Sequence, residues 1–124
     1  MIFLIDDDEI QNIINRKIIE LVDSKIVVTT FLDAQSALNM LSEGNQKPNI
    51  IFLDINMPRM NGWDFLKIYE EMEMDIPVMI LTSSINNHDK EKSQSYPSVG
   101  GFLSKPLSTE HLKDILSDIF NQNS

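Results

Sequence analysis

Short apolar runs alternate with longer stretches in which apolar residues recur at helical spacing. That alternation constrains the fold of this 124-residue chain more than any other feature. The strand-like runs are residues 2–5, 26–31, 49–53, 76–81 and a short 101–104. The first, third and fourth are almost continuously apolar, as expected of parallel strands covered on both faces. Between them, Ile10, Ile13, Ile14, Ile18, Leu21 and Val22 form one helical stripe. Ala34, Ala37, Leu38 and Leu41 form a second, ended by Gly44 where a helix C-terminus favours glycine. Phe65, Leu66, Tyr69 and Met72 form a third. Leu112, Ile115, Leu116, Ile119 and Phe120 form the last, with Ser108 or Thr109 placed to cap it and Glu110 in its first turn. Crossovers of helical length between buried strands predict an α/β fold, a doubly wound parallel sheet with helices on both faces. Residues 86–95 carry almost no apolar side chain, which predicts a short, weakly anchored helix stopped by Tyr96-Pro97.

The length suits one domain, spanning 1–124, able to bury its core without a disulfide or metal staple. The chain has no cysteine, which excludes thiol catalysis and Cys-ligated metals. Its apolar runs fall far short of the ~20 residues a membrane helix needs. The first five residues lack the basic flank of a signal peptide, so a cytoplasmic location is expected. A net charge of −9 disfavours duplex nucleic acid as a partner and suits cations or other proteins.

In open α/β sheets, ligands bind beyond the carboxyl ends of the strands. There the sequence places Asp6, Asp7, Asp8 and Glu9 after the first strand, and Asp54 with Ile55-Asn56-Met57-Pro58 after the third. Thr82, Ser83 and Ser84 follow the fourth, and Lys105-Pro106 the fifth. Clustered carboxylates repel unless a cation is bound, and an oxygen-rich cluster suits a hard divalent ion such as Mg2+. A carboxylate beside such an ion can accept a phosphoryl group as a mixed anhydride. The ion, an ammonium from Lys105 and a hydroxyl from Thr82 would offset the developing charge.

Each of these residues also has a plain structural reading. Asp8 and Glu9 suit the positive end of a helix dipole, Asp54 could cap a turn, Asn56-Met57-Pro58 is ordinary turn chemistry, and Ser84 could cap the next helix. A lone lysine is usually a solvated surface residue. Joint placement at one sheet edge is what favours chemistry. His88 and His111 share no metal-ligand spacing and read as surface residues, the methionines as core filler, and Trp63 as a packing residue.

With these motifs in hand, the chain resembles the receiver domain of two-component response regulators. The resemblance runs from Ile2 to Phe120 and rests on the acidic pair after the first strand, F-L-D-I-N-M-P-R-M-N-G-W at 52–63, L-T-S at 81–83 and F-L-S-K-P-L at 102–107. It implies a flavodoxin-like (βα)5 sheet ordered 2-1-3-4-5. It also implies that Asp54 is the phosphoacceptor and that Asp6 and Asp7, with Asp54 and the Asn56 backbone carbonyl, hold Mg2+. Lys105 would contact the phosphoryl group, next to a cis bond to Pro106. Thr82 and Phe102 would be the switch pair. Partners would be a histidine kinase or histidine phosphotransfer protein and a downstream protein, with no nucleic acid and no membrane. With no output domain after the last helix, a stand-alone receiver that is not itself an enzyme is expected.

Two departures bear on the switch. Phe102 stands where tyrosine is commoner, and residues 95–99 replace an alanine- and glycine-rich stretch, which bears on the length of the fourth helix. Two other readings compete. Asp54-Ile55-Asn56 resembles the D-x-D of haloacid dehalogenase-type hydrolases, which suggests an aspartate-based phosphatase. A degenerate receiver would bind partners constitutively without phosphorylation.

Overall fold

The computed structural model describes residues 1–83 and 85–122, with side chains through Ile119, so the expectations for Ser84 and for the Phe120 side chain lie outside the described residues. Five strands and five helices alternate along the chain: β1 (Ile2–Ile5), α1 (Glu9–Val22), β2 (Val28–Phe31), α2 (Ala34–Glu43), β3 (Ile50–Asp54), α3 (Gly62–Glu71), β4 (Val78–Thr82), α4 (Asn87–Ser93), β5 (Val99–Ser104) and α5 (Thr109–Gln122). All the strands are parallel, in the order β2-β1-β3-β4-β5. This is the doubly wound parallel sheet the alternation predicts, in the flavodoxin-like order the resemblance implies.

Successive strand side chains point to opposite faces, and the two faces build separate cores. Phe3, Ile5, Ile51, Leu53, Val78 and Ile80 pack with Ala37, Leu38 and Leu41 of α2 and Phe65, Leu66 and Tyr69 of α3. Ile2, Leu4, Ile50, Phe52 and Leu81 face the other way, onto Ile19 of α1 and Leu112 and Leu116 of α5. Burying a Leu, Ile or Phe side chain contributes about 1.5–3 kcal/mol. This double-sided burial matches the apolar sequences of β1, which has no polar residue, and β3, whose only one is its last residue, Asp54.

Local signals set the boundaries. Gly44 ends α2 at φ 74°, and Asn61 and Asp64 close a capping box on α3. The Ser108 hydroxyl accepts the His111 N–H to cap α5. β2 is shorter than its apolar run, because the Ile26 N–H turns back to the Asp23 carbonyl instead of joining β1. β5 begins two residues earlier than expected, with an irregularity in its pairing to β4 between Val78 and Met79.

One expectation fails. The apolar stripe of α1 is not its buried face: Ile10 is 67% exposed, Leu21 79%, Ile13 48% and Ile14 37%. Asn12, Asn15 and Ile19 are buried in their place, with Ile18 and Val22 half-buried. Hydrogen bonds made by the two asparagines, which apolar periodicity does not count, set the rotation of the helix. α4 does match its reading. It has seven residues, of which only Ser93 is buried.

Candidate functional site

The carboxyl ends of β1, β3 and β5 bring four predicted residues together: Asp6, Asp7, Asp54 and Lys105. Asp6 and Asp54 are each 4% exposed. Lys105 follows β5 directly, and its Nζ lies 2.6 Å from Asp6 Oδ2 and 3.2 Å from Asp54 Oδ2. Asp6 Oδ2 accepts no other hydrogen bond from the described residues. Carboxylate oxygens of Asp6, Asp7 and Asp54 lie within 4.8 Å of one another, Asp7 being the exposed member.

Backbone donors aim these groups. Asp6 Oδ1 accepts the Asp8 N–H at 2.9 Å, and Asp54 Oδ1 accepts the Asn56 N–H at 3.0 Å. Asp8 turns away to cap α1, accepting from Ile10 and Gln11 N–H groups, so the structural reading holds for it. The Lys105 N–H donates to the Thr82 carbonyl at 2.9 Å, and the Lys105–Pro106 bond is cis.

Burial and charge compete here. Desolvation pushes the Asp6 carboxyl above the ordinary carboxylate value, against the hydrogen bonds from Lys105 and the Asp8 N–H. Burial pulls the Lys105 ammonium down, but the Asp6 hydrogen bond and the charges of Asp54 and Asp6 outweigh it, and its pKa ends above normal. The lysine therefore stays charged between two acids. The donor set is three carboxylates around one small volume, hard oxygens with no soft or imidazole ligand. It fits a magnesium-like cation.

Thr82 ends β4 and is fully buried. Phe102 is half-buried in β5, where it pairs with Ile80 and packs on the core shared with α2 and α3. Asn56 is exposed beside Asp54. His88 and His111 are exposed and remote from one another in sequence, as read. A groove of about 550 Å³ opens at the other end of the sheet beside Pro77 and Ser98. It holds acids but no lysine, so the chemistry concentrates at the carboxyl edge.

Sequence reasoning missed three supporting residues. Gly62 begins α3 so close to the end of β3 that a Cβ there would lie 2.6 Å from Ile55 Cα and 3.0 Å from the Asp54 carbonyl. Asn12 Nδ2 donates to the Asp6 and Phe31 carbonyls, and Asn15 Oδ1 accepts the Leu107 N–H. Two amides at i, i+3 in an isoleucine-rich helix were the available signal.

Residues 2–117 match the family described as the response regulator receiver domain. A crystal structure of a two-component response regulator from Cytophaga hutchinsonii is similar with TM-score 0.88 and 31% identity, covering 97% of this chain and 96% of that one. A two-component response regulator from Legionella pneumophila gives TM-score 0.87 and 29% identity, covering 97% of each chain. Among curated proteins, the protein-glutamate methylesterase/protein-glutamine glutaminase of Treponema pallidum (strain Nichols) is 29% identical over 92% of this chain. The match takes up only 28% of that protein's own length.

Proposed function

The chain belongs to the response regulator receiver domain family, whose members are phosphoacceptor switches of two-component systems, and on that premise we propose that Asp54 is its phosphoacceptor. The observation that carries the reading is the Asp54 carboxylate, buried at a strand end, paired with Lys105 and clustered with two further acids.

The donor is a phosphohistidine on a histidine kinase or a histidine phosphotransfer protein. Asn56 holds Asp54 Oδ1, so Oδ2, on the Lys105 side, is the nucleophile. It forms an O–P bond as the N–P bond of the phosphohistidine breaks, and the imidazole leaves with the electron pair. Lys105, already charged and poised between Asp6 and Asp54, moves its ammonium onto the incoming phosphoryl oxygens. Asp6, Asp7, Asp54 and the Asn56 carbonyl would hold Mg2+, which when bound offsets the charge of the transferring group. Water later attacks phosphorus and restores the carboxylate, releasing phosphate.

Thr82 and Phe102 are the switch pair. They sit on β4 and β5, the neighbouring strands that α4 connects, and α4 buries only Ser93, so a change of population there costs little. The phosphorylated form presents a changed face to a downstream protein. A cytoplasmic location accompanies this reading, and no helix among the described residues is long and apolar enough to cross a membrane. No observation favours the hydrolase or the constitutive-binding alternative.

Incubation with phosphoramidate and Mg2+ is expected to add one base-labile phosphoryl group per chain, detected by mass spectrometry and lost in Asp54→Asn. An unmodified wild-type chain, or an adduct that survives the substitution, would overturn the assignment.

A further inference from the structure

Asn12 and Asn15 lie one turn apart on the inner face of α1, and they are 2% and 1% exposed. Polar groups are rarely buried so deeply unless they hold something. Asn12 Nδ2 forks to the Asp6 carbonyl at 3.0 Å and the Phe31 carbonyl at 3.3 Å, which anchors the acidic loop. Asn15 Oδ1 accepts the Leu107 N–H at 3.0 Å, a bond spanning 92 positions.

Leu107 stands two residues beyond Lys105, and Pro106 between them has no N–H to offer. The lysine backbone is therefore held by the Thr82 carbonyl on one side and by Asn15 on the other. Both asparagines bond backbone groups, the Asp6 and Phe31 carbonyls and the Leu107 N–H.

We infer that Asn15 is a positioning residue for phosphoryl transfer: through the Leu107 N–H it fixes Lys105 relative to the Asp6 loop that Asn12 holds from the same helix. The inference rests on the reading of Asp54 as phosphoacceptor and Lys105 as the group that meets the phosphoryl oxygens. A rigid helix rises about 1.5 Å per residue, so the two amide anchors stand at a set separation. The acid loop and the lysine loop are thereby held in register. Removing the Asn15 acceptor frees the lysine loop and leaves the carboxylates in place. Phosphoryl transfer and magnesium binding should then respond differently.

The test compares wild type, Asn15→Leu (similar volume, no acceptor), Asn15→Asp (acceptor kept) and Asp54→Asn. Three quantities are read: phosphorylation rate with phosphoramidate at saturating Mg2+, Mg2+ affinity by calorimetry, and amide exchange of Leu107 by NMR. In Asn15→Leu the Leu107 amide is expected to exchange faster and the rate to fall roughly tenfold or more, with Mg2+ affinity within about twofold of wild type. Asn15→Asp is expected to restore both Leu107 protection and most of the rate. If Asn15→Leu does not fold, Asn15→Ser, whose hydroxyl stops short of Leu107, replaces it in the same comparison. A folded variant with the wild-type rate overturns the inference, as does a parallel fall in rate and Mg2+ affinity, which would mean general loosening. A wild-type chain that takes no phosphoryl group sinks the Asp54 reading itself, a result separate from either of these.

Discussion

Three consecutive aspartates meet three environments here. Asp6 is buried against Lys105, Asp7 is exposed beside the same cluster, and Asp8 caps α1. Identical side chains take different work because a strand ends and a helix begins between them, so each Cβ leaves the backbone in a different direction. The neighbouring constraint is a missing side chain. A Cβ on Gly62 would press on the backbone of Ile55 and Asp54, which has no rotamer through which to yield. Gly62→Ala is expected to lower stability by about 1–3 kcal/mol, more than the gain of under about 1 kcal/mol in helix propensity. It should also slow phosphorylation, because the strained backbone is that of Asp54, the proposed acceptor. Urea unfolding alongside phosphoramidate kinetics checks this, and an unchanged midpoint would contradict it.

At the scale of elements, α4 buries little of itself. Its seven residues are capped by Asn86 and bury only Ser93, so little apolar surface holds it to the sheet. What secures it comes from α3. Trp63 stacks on Tyr96 with ring centroids 5.8 Å apart, and Lys92 Nζ sits 4.8 Å from the Trp63 ring centre. A stacked aromatic pair contributes about 0.5–1.5 kcal/mol beyond its buried area. In Tyr96→Ala, global stability is expected to fall by about 1–2 kcal/mol, amides of Asn87–Ser93 to exchange faster, and Trp63 emission to move to longer wavelength. Unchanged exchange across that helix would show that the stack does not hold α4. On the opposite flank, α1 turns Ile10, Ile13, Ile14 and Leu21 to the surface, since its asparagines occupy the inner face.

At the scale of the whole molecule, parallel pairing delivers every strand's carboxyl end to one edge. Three acids thereby converge there in a chain whose net charge is already −9. Gathering like charges opposes folding unless a counter-charge is present. Lys105 supplies one positive charge, and a divalent cation would add two more. Mg2+ at ten times its dissociation constant is therefore expected to stabilise the fold by about 1.4 kcal/mol, raising Tm by about 4–6 °C. Asp7→Asn changes an exposed residue, so it should fold normally and lose most of that rise. Thermal melts with MgCl2 and with EDTA test the claim, and an equal rise in both proteins would place the cation elsewhere.

The doubly wound parallel sheet and the convergence of Asp6, Asp7, Asp54 and Lys105 could be read before any coordinates, while the strand order came from the family resemblance. Continuous apolar runs and helical crossovers leave few ways to wind the chain, and a parallel sheet puts those positions at one edge whatever the packing details. The α2 stripe and its Gly44 end were legible for the same local reasons. The rotation of α1 was not, because it depends on hydrogen bonds to Phe31 and Leu107, residues remote in sequence. Nor was the tight seat of Gly62 against Ile55, or the tie from Tyr96 to Trp63. Periodicity records how each residue prefers to meet water, whereas these features depend on which distant partner lies opposite, and only the folded chain decides that.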